Sequence, residues 1–209
     1  MSCFRGRARL LLALVVLAGT ASCSRLGQTG EPAQVAQAFA SWKTAVINRE
    51  TGKAMTYIPR HVDDYLQALN SPVVDSTPAA NVPPSPSPGV DLLLRTALEK
   101  KVPADLRSHL TVAALMQRIA DRNLLNPHNV QQIALGQVSV NGNRASAEVY
   151  YQGTLTALRL PFIKEGDAWK IDVMDLLPYA EVLMRVDRAV KGETEAQQVD
   201  QIVSKLPAL

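Results

Sequence analysis

The sequence predicts an α+β fold: N-terminal helices packed on a curved antiparallel sheet of about four strands, with C-terminal helices after it. Three observations predict it. Apolar residues recur at helical spacing from Pro32 to about Asn123; the period then falls to two from Ile133 to Val173, and helical spacing returns from Leu176. Within the period-two region stand three tight-turn sequences, Asn141-Gly142, Gln152-Gly153 and Glu165-Gly166-Asp167. Turns this closely spaced join consecutive strands as an antiparallel meander.

Each element follows from its residues. Glu31-Pro32 opens the first helix, because proline is tolerated in a first turn, where its missing N–H has no partner to lose. Val35, Phe39, Trp42 and Val46 give that helix one apolar face, widened by Ala36, Ala40 and Ile47. Asn48 to Gly52 reads as a turn. A second helical stretch starts at Lys53, is interrupted by Pro59, and continues through Val62, Tyr65, Leu66 and Leu69.

The stretch 71–90 differs in kind. Six prolines lie between Ser71 and Pro88 with no periodic apolar pattern, which predicts an extended insertion. Helical patterning resumes after Gly89, with Asp91 placed to cap Leu92 to Lys101, and Pro103 opens a longer helix running to about Asn123. Asn126-Pro127-His128-Asn129 reads as a stop.

In the sheet, Ile133, Leu135, Val138 and Val140 form the first strand, and Ala145, Ala147, Val149 and Tyr151 share one face of the second. Leu158, Leu160 and Phe162 alternate along a third, where Pro161 predicts an edge position or a bulge. Trp169, Ile171 and Val173 face inward from a fourth, so alternation turns Asp172 outward. Asp175 then reads as the cap of a helix with Leu176, Tyr179, Ala180, Leu183, Val186 and Val190 on one face. A last amphipathic helix from about Glu193 carries Ala196, Val199, Ile202, Val203 and Leu206.

The N-terminus gives the location. Arg5, Arg7 and Arg9 precede the apolar run Leu10 to Gly19, and the small residues Ala21 and Ser22 precede Cys23. This is the order of an export signal, and the run is too short to span a bilayer. The segment resembles a bacterial lipoprotein signal, with Thr20 where that pattern has an aliphatic residue. The resemblance implies cleavage after residue 22 and acylation of Cys23. The expected division is therefore a signal at 1–22, a tether at 23–30 and a single domain at 31–209. By resemblance to enteric lipoproteins, Ser24 after the cysteine favours sorting to the outer membrane, facing the periplasm.

Cleavage would remove Cys3, leaving one cysteine of two and no intramolecular disulfide, so stability rests on the core. It would also remove three arginines and lower the basic side chains from 22 to 19, equal to the 19 acidic ones. A balanced chain has no global field for nucleic acid, and no basic stripe interleaved with aromatics is present.

Gly142-Asn143-Arg144-Ala145 and Gly166-Asp167-Ala168-Trp169-Lys170-Ile171-Asp172 resemble the closing hairpins of the nuclear transport factor 2-like superfamily. The resemblance covers about residues 32 to 174, interrupted by the proline-rich insertion. It implies a curved sheet wrapped on the first helix to enclose an apolar cavity. Phe39 and Trp42 would line that cavity from the helix, with Tyr151, Leu160, Phe162 and Trp169 opposite.

Residues able to carry chemistry are few. His61, Asp63, Asp64 and Tyr65 cluster after Pro59 and read as a solvated helical first turn, where the helix dipole favours acids. His109 and His128 lack a partner at metal-ligand spacing, and no nucleophile elbow or phosphate loop is present. The expectation is a non-enzymatic, lipid-anchored envelope protein without cofactor, binding an apolar small molecule or another envelope protein. The rival is a small cavity enzyme that moves a proton with a buried aspartate or histidine.

Overall fold

The computed structural model describes residues 29–70, 87–122 and 127–209. The expected signal, Cys23, most of the expected tether and the bulk of the proline-rich stretch lie outside them. The fold is α+β, with helices before and after one four-stranded antiparallel sheet of order β1-β2-β3-β4. The helices before the sheet are α1 (Glu31–Ile47), α2 (Thr51–Met55), α3 (His61–Asn70), α4 (Pro88–Lys101), α5 (Ala104–Arg107), α6 (Val112–Asp121) and α7 (Pro127–Gln131). The strands are β1 (Ile133–Asn141), β2 (Arg144–Tyr151), β3 (Thr154–Glu165) and β4 (Ala168–Ile171). A 3-10 turn (Val173–Leu176), α8 (Leu177–Lys191) and α9 (Glu195–Lys205) complete the chain.

The main core lies between α1 and one sheet face. Val35, Ala38 and Phe39 from α1 meet Val138, Ala145, Ala147, Phe162, Trp169 and Ile171. The small Ala145 and Ala147 on β2 let the helix approach closely, and the site is fully sealed, with Ala147 0 % exposed. Lys43 anchors α1 to the start of the sheet by donating to the carbonyls of Gln131 and Ile133, at 2.7 and 2.5 Å. Loss of solvent around that ammonium lowers its pKa.

Two irregularities shape the sheet. The β1–β2 register shifts between Leu135 and Val138, where Glu148 accepts from the Gln137 N–H at 3.1 Å. Gly136 is required there, since a Cβ would stand 2.5 Å from the Tyr150 ring and 2.6 Å from a Glu148 oxygen. The β2–β3 register shifts between Glu148 and Tyr150, and the Thr156 hydroxyl donates to the Val149 carbonyl at 2.9 Å.

Several sequence expectations change. Helix α4 begins at Pro88 rather than after Gly89, because proline again occupies a first turn. Asp91 is therefore inside the helix and not its cap. The helix expected from Pro103 to about Asn123 is two: Leu110 dips into the core, and Thr111 caps α6 by accepting from the Ala114 N–H at 3.0 Å. Pro127 opens the short helix α7 instead of only stopping one. Pro161 lies on the internal strand β3. It is tolerated because β4 ends at Ile171, and beyond it only the Asp172 N–H meets this residue, donating to its carbonyl at 3.0 Å.

Asp172, expected to face outward, is 2 % exposed. Strand alternation does not reach it, since the chain leaves the sheet one residue earlier. It caps the 3-10 turn, accepting from the Met174 N–H at 3.2 Å, and α8 itself has no side-chain cap. Asp175 instead pairs with Arg144 on the surface.

Helix α8 is amphipathic in the unexpected sense. Tyr179, Val182, Leu183, Val186 and Val190 point to solvent, Val190 with 82 % of its surface exposed. The one fully buried side chain of the helix is a carboxylate, Glu181. Glu181 accepts from the Val90 N–H at 3.0 Å, a carboxylate against the N-terminus of α4, and Gln198 of α9 donates to the Met184 carbonyl at 2.9 Å. Gly89 makes that approach possible, because a Cβ there would come within 2.9 Å of Glu181.

Candidate functional site

The sequence places its candidate cavity between α1 and the sheet, and the residues named for it do converge there. Phe39, Phe162 and Trp169 are buried in the core cluster, with Trp42 and Leu160 packed against it. Phe39 and Trp42 stack at 5.7 Å between ring centroids, and the Lys164 ammonium covers the Trp169 ring at 5.7 Å while pairing with Glu31 at 2.7 Å. Tyr151 does not join them; it sits at the sheet end, 39 % exposed.

Among the described residues an apolar pocket of about 380 Å³ lies in the helical layer. None of Phe39, Trp42, Tyr151, Leu160, Phe162 or Trp169 lines it. Helix α4 supplies one wall from a single stripe, Leu94, Ala97, Leu98 and Lys101, at the i, i+3, i+4, i+7 spacing that lines up one helix face, and Val102 follows at its C-cap. Leu66 of α3 adds to it, and Leu115 and Ile119 of α6 stand one turn apart. Leu206 and Leu209 close the C-terminal side, where the Leu209 N–H donates to the Lys101 carbonyl at 2.8 Å.

The helices around it are held by polar pins outside the apolar lining. The Tyr65 hydroxyl of α3 donates to Asp91 of α4 at 2.5 Å. Burial and then the Asp91 carboxylate raise the Tyr65 pKa well above the ordinary phenol value, so the phenol stays protonated. Arg95 donates to the Leu69 carbonyl at 2.9 Å, and Asp63 accepts from the Val112 N–H at 2.6 Å, tying α3 to the start of α6. Packing beside these pins is uneven. Leu69, Leu98, Val102 and Leu110 form a buried cluster, yet no residue of α6 is fully buried.

The cluster His61, Asp63, Asp64 and Tyr65 is therefore not a solvated first turn. Three of its four members reach other elements, and only Asp64 is exposed. His61 Nε2 lies 2.8 Å from Asp172 Oδ1, a pair that fixes α3 to the end of the sheet. A hydrogen-bonded histidine and aspartate can move a proton, but neither residue lines the cavity and the carboxylate is already engaged as a cap. His109 is exposed, and His128 bonds Gln132 at 2.5 Å. No group of three potential metal ligands occurs among the described residues, and no described helix is long and apolar enough to cross a membrane.

The cavity escaped sequence reading for a physical reason. The stripes Leu94-Leu98-Val102 and Leu115-Ile119 have the same periodicity whether a helix face is filled by its neighbours or left facing space. No family model matches this chain, and no curated protein or solved structure is significantly similar to it.

Proposed function

We propose that this chain is a lipid-anchored bacterial envelope protein whose domain is a non-catalytic binding module, and that it takes an apolar ligand between α3, α4 and α6. The observation that carries the reading is the cavity of about 380 Å³, whose lining is aliphatic at every position except Lys101. Its size falls in the range of small-molecule pockets, about 300–1,000 Å³. The pocket is open to solvent on one side, and a concave aliphatic face left open in this way marks a place for a ligand.

Native mass spectrometry of the full chain, purified after expression in a bacterium, tests this. A retained apolar molecule is expected, and it should be lost in Leu94→Trp, which fills the cavity. A cavity that is always empty and accepts no added apolar probe would sink the reading. The outward stripe of α8 favours a second reading, a surface that docks another envelope protein.

The anchor is a separate part of the proposal and rests on the signal and Cys23. Cys23→Ala is expected to leave the membrane fraction or to accumulate as unprocessed precursor, because acyl chains hold the chain by about 0.8 kcal/mol per buried methylene. Fractionation with intact-mass measurement decides it: unchanged mass and unchanged membrane association would overturn acylation.

A further inference from the structure

We infer that the ligand of this cavity is a single-chain fatty monocarboxylate, its chain lying among Leu94, Leu98, Leu115 and Ile119 and its carboxylate held by Lys101. The inference rests on the reading of the cavity as a ligand site and adds the chemistry of the ligand.

The lining contains one charged side chain, Lys101, on the same stripe of α4 as Leu94, Ala97 and Leu98. Lys101 has no carboxylate or hydrogen-bond acceptor for its ammonium among the described residues, whereas its neighbour Lys100 pairs with Asp200 at 2.8 Å. An ammonium beside an apolar wall buries its methylenes and leaves its charged end for an anion. A neutral hydrocarbon filling the cavity would strip water from that end and offer nothing back. A phosphate dianion would bring more charge than one lysine balances. One monoanionic head on one chain matches one ammonium on one aliphatic cavity.

The size points the same way, since about 380 Å³ is near the small end of ligand pockets and suits one chain rather than a two-chain lipid. The C-terminal end of α4 by itself disfavours an anion, because helix carbonyls converge there. That field is softened at this spot: the Lys101 carbonyl is already taken by the Leu209 N–H at 2.8 Å. The plain alternative is that Lys101 only complements the helix dipole, in which case its charge is indifferent to ligand.

The test is a competition assay on the full chain, displacing a fluorescent apolar reporter with dodecanoate or with dodecanol, each kept below its aggregation concentration. The wild type is expected to bind dodecanoate about fivefold tighter than dodecanol, the scale of one partly exposed ion pair. Lys101→Met, which keeps the apolar stem, should equalise the two; Lys101→Arg should restore the preference; added salt should weaken it. Equal affinity for both probes in the wild type, or a preference that survives Lys101→Met, overturns the carboxylate inference and leaves the cavity reading standing. Failure of both probes, or displacement that persists in Leu94→Trp, overturns the cavity reading and the inference with it.

Discussion

The α1–sheet core and the α3–α4–α6 layer are both apolar, yet the first is packed with aromatics and alanines while the second, aliphatic, leaves a pocket. In the first, alternating strand residues meet a helix face with small alanines opposite large aromatics, and the space is filled. In the second, helix faces diverge around about 380 Å³. The difference lies in what sets the spacing. Backbone hydrogen bonds fix strand positions, so side chains on the sheet are held at distances they can fill. The helices of the second layer are spaced in part by side-chain pins, Tyr65 to Asp91 and Asp63 to the Val112 N–H, which hold the walls without filling what lies between them.

Truncation gives the largest expected difference. Phe162→Ala removes a ring that is 1 % exposed and should cost about 3–5 kcal/mol. Leu94→Ala removes a half-buried side chain next to existing space and should cost about 1 kcal/mol. Urea unfolding of both variants checks it; equal losses would mean that the two layers are packed alike.

Enlargement should keep the core the more sensitive of the two and change the sign in the helical layer. Ala147→Leu forces extra methylenes into a sealed site and is expected to destabilise by about 1–3 kcal/mol. Ala97→Leu places them in the cavity and should be neutral or stabilising by up to about 1 kcal/mol. Thermal midpoints of the pair decide, and destabilisation by Ala97→Leu comparable to that by Ala147→Leu would show the cavity to be closed to added volume.

How much of this was legible in the sequence follows the same divide. The meander was readable from Asn141-Gly142, Gln152-Gly153 and Gly166, because turn chemistry and period two act over a few residues. The inward faces of Phe162 and Trp169 followed from that alternation and that of Phe39 from helical spacing, while their meeting was implied only by the resemblance. Long-range contacts were not readable. Nothing near Asp172 announces His61, and nothing in α8 tells that Glu181 faces inward to cap α4 while Val186 and Val190 face out. A helical stripe names a face and not its neighbour, so both the hollow layer and the inverted α8 needed coordinates.

The two layers should also loosen at opposite ends of the pH scale, which is the smallest and most specific difference. Hydrogen bonding from Lys170 holds Glu165 below its ordinary value, at the edge of the sheet, where it also accepts from the Arg60 N–H at 3.3 Å. A lowered carboxylate pKa adds stability that is present above the unfolded value and is lost as pH falls through the folded one. Because the group is partly exposed, the loss on acidification should be a few tenths of a kcal/mol, about what surface pairs contribute, and absent in Glu165→Gln. In the helical layer the sign is opposite. Burial raises the Tyr65 pKa, so the folded state keeps a proton that the unfolded state gives up, and stability falls as pH rises above the ordinary phenol value of about 10. One proton sets the limit at about 1.4 kcal/mol per pH unit, and partial burial should keep the slope below it. Tyr65→Phe removes that proton, so its urea midpoint should decline less steeply than that of the wild type between about pH 9 and about pH 12, although it starts lower for want of the bond to Asp91. Parallel alkaline limbs in the two proteins would show that Tyr65 does not hold α3 to α4, and the pinned-wall account of the cavity would fail with it.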